Sequence, residues 1–238
     1  MATTYRDIIN RVLVALGEDE ISSSQNELTS KYHKLIGMYV NQIKEIVEDA
    51  HQWSPLVNLV EFQVTAGSNQ ATLTGGQTVN NRLRLMRQHD PISGTVAAVV
   101  ADVTASNNPY LLREIPQAEL QRKILLDSTD GGDPDQFSFV HTTQDNPVLE
   151  IYPKATETRT IRGYFYNPRG PWGNGDLDET LEIPTRPVEL GTIWYALQER
   201  GEELGTSGPF SQELFEQALG EAVGRDADNQ GLYQLVPV

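Results

Sequence analysis

The 238-residue chain contains no cysteine, which excludes disulfides, thiolate metal sites and a cysteine nucleophile. That absence is neutral about compartment, since a cytosolic protein needs none. Long apolar runs are missing as well: no stretch approaches the roughly 18 consecutive apolar residues of a membrane helix, so no membrane span is expected. Residues 1–7 lack the basic region and apolar core of a signal peptide, so Sec-dependent export is not expected. Positive charge is scarce, with 18 Lys and Arg against 33 Asp and Glu and a net charge of −15. Such a surface repels phosphate backbones and gains nothing from counterion release, which argues against tight wrapping of nucleic acid.

Catalytic spacings are absent too. The four histidines, His33, His51, His89 and His141, stand far apart with no ligand-like spacing, so surface or core roles are expected for them. No Gly-x-Ser-x-Gly elbow occurs, and 205–208 follows a helical pattern instead of a strand. Asp127, Asp130, Asp133 and Asp135 surround Gly131 and Gly132 but do not match an EF-hand loop, so an exposed acidic turn is the expectation. The same holds for Asp176, Asp178 and Glu179. Gly173-x-Gly175 lacks the strand-to-helix setting of a phosphate loop. Neither an enzyme, nor a cofactor, nor a metal is expected.

What is present is a clear layout. Helical periodicity runs over 4–51 and returns over 187–227, enclosing a middle of short alternating segments broken by Gly and Pro. Thr4 is placed to cap a first helix with Asp7 at its positive end, and Ile8, Ile9, Val12, Leu13 and Leu16 share one stripe before Gly17. Ser24 and Glu27 have capping-box spacing, which predicts a long second helix over 25–51 that stops at Trp53-Ser54-Pro55. Pro187 suits the first turn of a third helix with Val188, Leu190, Ile193, Trp194, Leu197 and Leu204 on its apolar face. A turn over 205–209 follows, and Ser211 is expected to cap a last helix carrying Leu214, Phe215, Ala218, Leu219 and Val223.

In the middle, 56–65 and 71–74 read as a hairpin about Gly67. Further strands are predicted at 82–86, 95–103, 136–141, 148–152 and 158–166, with one short helix over 116–127. The expected fold is α+β: a helical bundle made from both chain ends, with an inserted β-rich domain resembling a small sandwich or curled sheet. Its expected parts are 1–54 and 185–230 for the helices, 55–184 for the β insertion, and 231–238 as an extended tail. Acidic residues concentrate in the last helices, where nine acids against Arg200 and Arg225 give −7 over 189–230. Tyr164, Phe165, Tyr166 and Trp172 form an aromatic segment divided between core and interface, since alternation sends at least one ring inward.

The residues also carry a resemblance. Leu13, Leu16 and Gly17-Glu18, a long helix running into Trp53, and the strand 57–64 are similar to the head-to-tail adaptor proteins of tailed bacteriophages, a group that includes podovirus tail tubular proteins of the A type. The succession 135–139, 149–154, 161–166 and 181–184 strengthens the likeness, while 88–113 matches nothing recognisable. The resemblance implies a homo-oligomeric ring, dodecameric in relatives. It would be assembled in the host cytoplasm and sit in the virion between the portal protein and the tail nozzle or tail tube proteins, with DNA passing through its lumen. On that basis Glu199, Glu202 and Glu203 are channel-facing candidates, whose contact with passing DNA would be transient and non-specific. Leu232, Tyr233, Gln234, Leu235 and Val236 are candidates for a portal interface, the alternative being that this tail folds back on its own β segment. Tyr164, Tyr166 and Trp172 are candidates for a tail or neighbour interface. Two other classes stay open: a β-rich receptor- or carbohydrate-binding virion module, and a metal-assisted hydrolase built on the acidic turns.

Overall fold

Thr4 and Asp7 close a reciprocal capping box, Asp7 N–H to Thr4 Oγ1 at 3.2 Å and Thr4 N–H to Asp7 Oδ2 at 2.9 Å, and this starts helix α1 (Tyr5–Ala15). Gly17 ends it by taking φ of 71°, a conformation open to glycine at no steric cost. The structure, a computed structural model, describes residues 3–74, 82–89, 96–104, 109–126, 131–140, 147–201 and 208–229. The remaining helices described are α2 (Lys31–Ala50), α3 (Gln117–Leu126), α4 (Thr185–Glu199) and α5 (Gly208–Asn229). Strands occupy the middle, so the class is α+β. The chain divides into two compact units, residues 1–56 with 170–238, and residues 57–169.

In the first unit, α4 packs on α1, α2 and α5, so the two ends of the chain share one core. Ile8, Ile9, Val12 and Leu13 meet Ile36, Val40, Ile43 and Val47 there, together with Val188, Ala196 and Phe215, all buried. Gly191 lets α4 approach α2 and α5, because a Cβ at that position would lie 2.7 Å from Ile43 Cγ2 and 2.9 Å from Phe215 Cδ2. Segment 170–184, expected with the β part, belongs to this unit. It runs antiparallel to the N-terminus: Tyr5 N–H donates to Glu179 O at 2.8 Å, Arg6 N–H to Leu177 O at 3.0 Å and Leu181 N–H to Thr3 O at 2.9 Å.

Two helix starts differ from expectation. Ser30, not Ser24, caps α2, accepting from His33 N–H at 3.0 Å. Residues 22–29 stay out of the helix because their polar backbone is used elsewhere: Arg6 Nη1 donates to Ser22 O and Gln25 O, and Leu28 N–H donates to Asn174 O with the leucine side chain buried. Helix α5 begins at Gly208, which places Ser211 inside it and not at its cap.

The second unit starts with β1 (Val57–Val64), β2 (Gln70–Leu73), β3 (Arg84–Leu85), β4 (Arg87–His89) and β5 (Val96–Ala98). It continues with β6 (Val100–Asp102), β7 (Tyr110–Leu111), β8 (Arg113–Glu114), β9 (Gly131–Gly132) and β10 (Gln136–Val140). Strands β11 (Val148–Tyr152), β12 (Lys154–Ala155) and β13 (Arg159–Tyr166) complete it. Nine of these form one sheet in the order β7-β6-β13-β1-β2-β11-β10-β8, with β3 paired to β13. Of the two expected forms, a small sandwich or a curled sheet, the strands make the second. A single sheet, nearly closed and barrel-like, buries its inner face against itself: Val60, Phe62 and Val64 of β1 converge with Ile161 and Phe165 of β13, Phe137 of β10 and Leu149 and Ile151 of β11. Alternation along β1 and β13 sets this inward row, and the hairpin about Gly67, at φ of 82°, fixes their neighbour β2. Helix α3 lies on β10 and β11 with Leu120 buried.

Candidate interaction surfaces

Register places Leu59 of β1 directly opposite Tyr164 of β13, and both side chains point outward from the sheet, 53% and 44% exposed. Met86 N–H donates to Tyr164 O at 3.0 Å, so Met86, Tyr164 and Leu59 form an apolar row across three neighbouring chain segments on the outer face. The next pair along, Glu61 and Arg162, is closed by an ion pair at 2.7 Å. Such a row, aromatic in its middle and bordered by charge, has the composition of a protein contact. Sequence reasoning named Tyr164 but missed Leu59. The signal was available, because Val60, Phe62 and Val64 already fixed the inward parity of β1 and left Leu59 outside.

The other two aromatic candidates lie elsewhere. Tyr166 is fully buried, so it serves the core and offers no surface to a neighbour. Trp172 is half-buried within the helical unit, tilted on Tyr5 with ring centroids 4.8 Å apart and covered by Lys44 Nζ at 5.0 Å. Asn41 reads its backbone twice, Nδ2–H to Trp172 O at 2.9 Å and Trp172 N–H to Asn41 Oδ1 at 2.8 Å. Lys44 donates further to Gly170 O at 2.9 Å and pairs with Glu48 at 3.1 Å, both charged groups being buried. These contacts hold 170–172 onto α2. Burial and then Asp176 push the Tyr5 hydroxyl up to about 12, so it stays neutral beside Trp172.

Charge is divided unequally between the two units. Residues 1–56 with 170–238 carry 8 basic and 21 acidic residues, a net of −13, while 57–169 carry 10 basic and 12 acidic residues, a net of −2. The exposed acids of the helical unit include Glu199 at the end of α4 and Glu213, Glu216 and Glu221 on α5. Glu202 and Glu203 lie outside the described residues, as do Leu232, Tyr233, Gln234, Leu235 and Val236. In the β unit the acidic turn is partly engaged: Arg159 pairs with Asp133, with Glu157 at 2.9 Å and with buried Asp102 at 3.0 Å. Asp127 and Asp130 fall outside the described residues.

No group of His, Asp and Glu suited to a metal ion occurs among the described residues. His51 serves structure, its Nε2 lying 3.0 Å from Asp226 Oδ2, while His141 is outside the described residues. No helix among the described residues is long and apolar enough to cross a membrane.

Residues 3–235 match the family described as SU10 adaptor protein. The chain belongs to that family. It is therefore a phage adaptor with a structural role in the virion, in contact with other virion proteins, and its family is one of structural adaptors and not of enzymes. No curated protein matches the chain.

Proposed function

We propose that this adaptor forms a homo-oligomeric ring between the portal and the tail, with DNA passing through its lumen, in the manner of podovirus tail tubular proteins of the A type. The observation that carries the reading is the family match over 3–235. Charge supports it. A lumen wall must repel the DNA backbone so that the genome slides without sticking, and the helical unit, at −13, is the part suited to face it, with Glu199, Glu202 and Glu203 among the lining acids. The nearly neutral β unit is suited to protein contacts, and its outer row at Tyr164 and Leu59 meets a neighbour or a tail protein. The apolar tail, Leu232 to Val236, docks on the portal by adding a strand or filling a groove.

In this reading the helical unit carries the acids that line the lumen, and the β unit carries a row of residues for protein contact. The test is the mass of the purified protein in solution, alone and with isolated portal rings. A ring-sized species, free or bound to the portal, is the expected result. A protein that stays monomeric in both conditions overturns the ring.

A further inference from the structure

Two features of opposite character remain unexplained within a single copy. The first is the end of α3. Leu125 and Leu126 are 80% and 74% exposed, the most exposed large apolar side chains among the described residues, and Arg122 stands three and four positions before them on the same helix face. The opposite face of α3 is committed, with Leu120 buried and Lys123 donating to Gln136 Oε1 at 2.7 Å. The helix therefore presents a knob of two leucines beside a cation.

The second feature is an open cleft of about 800 Å³ on the helical unit, lined by Gln42, Glu45, Ile46, Asp49 and Ala50 of α2 and by Tyr195 of α4. Its lining is apolar at Ile46, Ala50 and the ring of Tyr195 and acidic at Glu45 and Asp49. Exposed Met38 extends the same α2 stripe, one turn before Gln42 and two before Ile46.

We propose that the α3 knob of one copy seats in the α2–α4 cleft of the next, as a heterologous contact that links copies head to tail. Leu125 and Leu126 cover Ile46, Ala50 and Tyr195, and Arg122 meets Glu45 and Asp49. Opposite charge fixes the orientation, and the leucines leave water. Because knob and cleft are different surfaces, the contact is not two-fold symmetric, and repeating it closes a ring when the rotation per copy permits. One knob is a small interface by itself. In a closed ring every copy makes the contact twice, so the loss of one does not release a subunit.

This inference rests on the ring reading, and its test separates the two. The chain has no native cysteine, so Ile46→Cys and Leu126→Cys give a clean cross-linking pair at exposed positions. Under mild oxidation the double variant is expected to give a ladder of covalent oligomers that collapses on reduction, and a mixture of the two single variants is expected to give a mixed dimer. Rings that form without a ladder, or a disulfide confined within one copy, overturn this contact and leave the ring standing. A protein that never assembles, alone or with the portal, overturns both. As a second measurement, Arg122→Glu should raise the concentration needed for assembly about tenfold, and adding Asp49→Arg should restore it. Assembly unchanged by Arg122→Glu, or weakened and not rescued, removes the charge pairing and the contact with it.

Discussion

Asp226, on the last turns of α5, reaches back 175 residues to His51 at the end of α2, with Oδ2 3.0 Å from His51 Nε2. The same carboxylate accepts from Ser54 N–H at 3.2 Å and from Ser54 Oγ at 2.8 Å. Three hydrogen bonds thus tie the end of the last helix to the chain just before β1. Asp226→Ala should lower unfolding free energy by about 1–2 kcal/mol, chiefly through the part-buried His51 contact, because the donors of exposed Ser54 can turn to water. Urea denaturation checks this, and an unchanged midpoint would mean that water replaces the carboxylate at no cost.

Two glycines in the helical unit predict opposite outcomes for the same substitution. Gly191→Ala drives a methyl to within 2.7 Å of Ile43 Cγ2 and should destabilise by about 1–3 kcal/mol. Gly220, on α5, has nothing within 4 Å of its Cβ direction, so Gly220→Ala should stabilise the folded subunit by about 0.5–1 kcal/mol through helix propensity. Melting curves of the two variants, measured side by side, decide the matter. Equal shifts of one sign would show that α4 and α5 are not packed as described.

Local chemistry made most of this fold readable, and long-range competition hid the rest. The capping box at Thr4 and the alternation of 57–64 and 159–166 are local signals, and α1, β1 and β13 follow them. The start of α2 was not local: Ser24 and Glu27 have the spacing of a cap, but Arg6 takes the carbonyls of Ser22 and Gln25, and burial of Leu28 keeps the segment out of the helix. Strands of two residues, such as β7, β8, β9 and β12, are too short to leave a period in sequence. The closure of one sheet upon itself depends on pairings such as β10 with β8, which no local pattern specifies. Among the site residues, exposure of Tyr164 followed from strand parity, whereas Tyr166, two positions on with the same parity, is covered.

Asp102 gives the β unit a predicted acid limb. Burial opposes its ionisation, yet hydrogen bonds from Thr104, from Arg159 and from the Tyr110 hydroxyl at 3.1 Å hold its carboxyl below the usual carboxylate range. A group depressed on folding binds its proton less readily in the native state. Its contribution is therefore complete above the unfolded pKa of about 3.9 and is lost as pH falls through that value toward the folded one. Stability should be flat with respect to this group from pH 7 to about 5 and decline below about 4. Asp102→Asn should cost about 1.5–3 kcal/mol at neutral pH and make the acid decline shallower, as read from denaturant midpoints across the series. A variant whose decline is as steep as that of the native protein would assign the acid limb to other carboxylates.

The proposed lumen makes the sharpest demand on Glu199, Glu202 and Glu203. Glu199 is exposed, where a charge contributes little to folding, and the change of all three to lysine is expected to leave the melting temperature of the subunit nearly unchanged. The local field changes by six charges per copy, and in a ring that change repeats around the channel. Each lysine near the DNA can neutralise a phosphate and release a counterion, so the variant ring should bind duplex DNA where the native ring does not. That affinity should fall steeply with salt, with a log–log slope of about −0.9 for each phosphate neutralised. Genome ejection from particles assembled with the variant should slow for the same reason. DNA binding that stays absent at low salt, together with normal ejection, would place these three residues away from the channel and leave another acidic face of the helical unit, such as Glu213, Glu216 and Glu221 of α5, to line it.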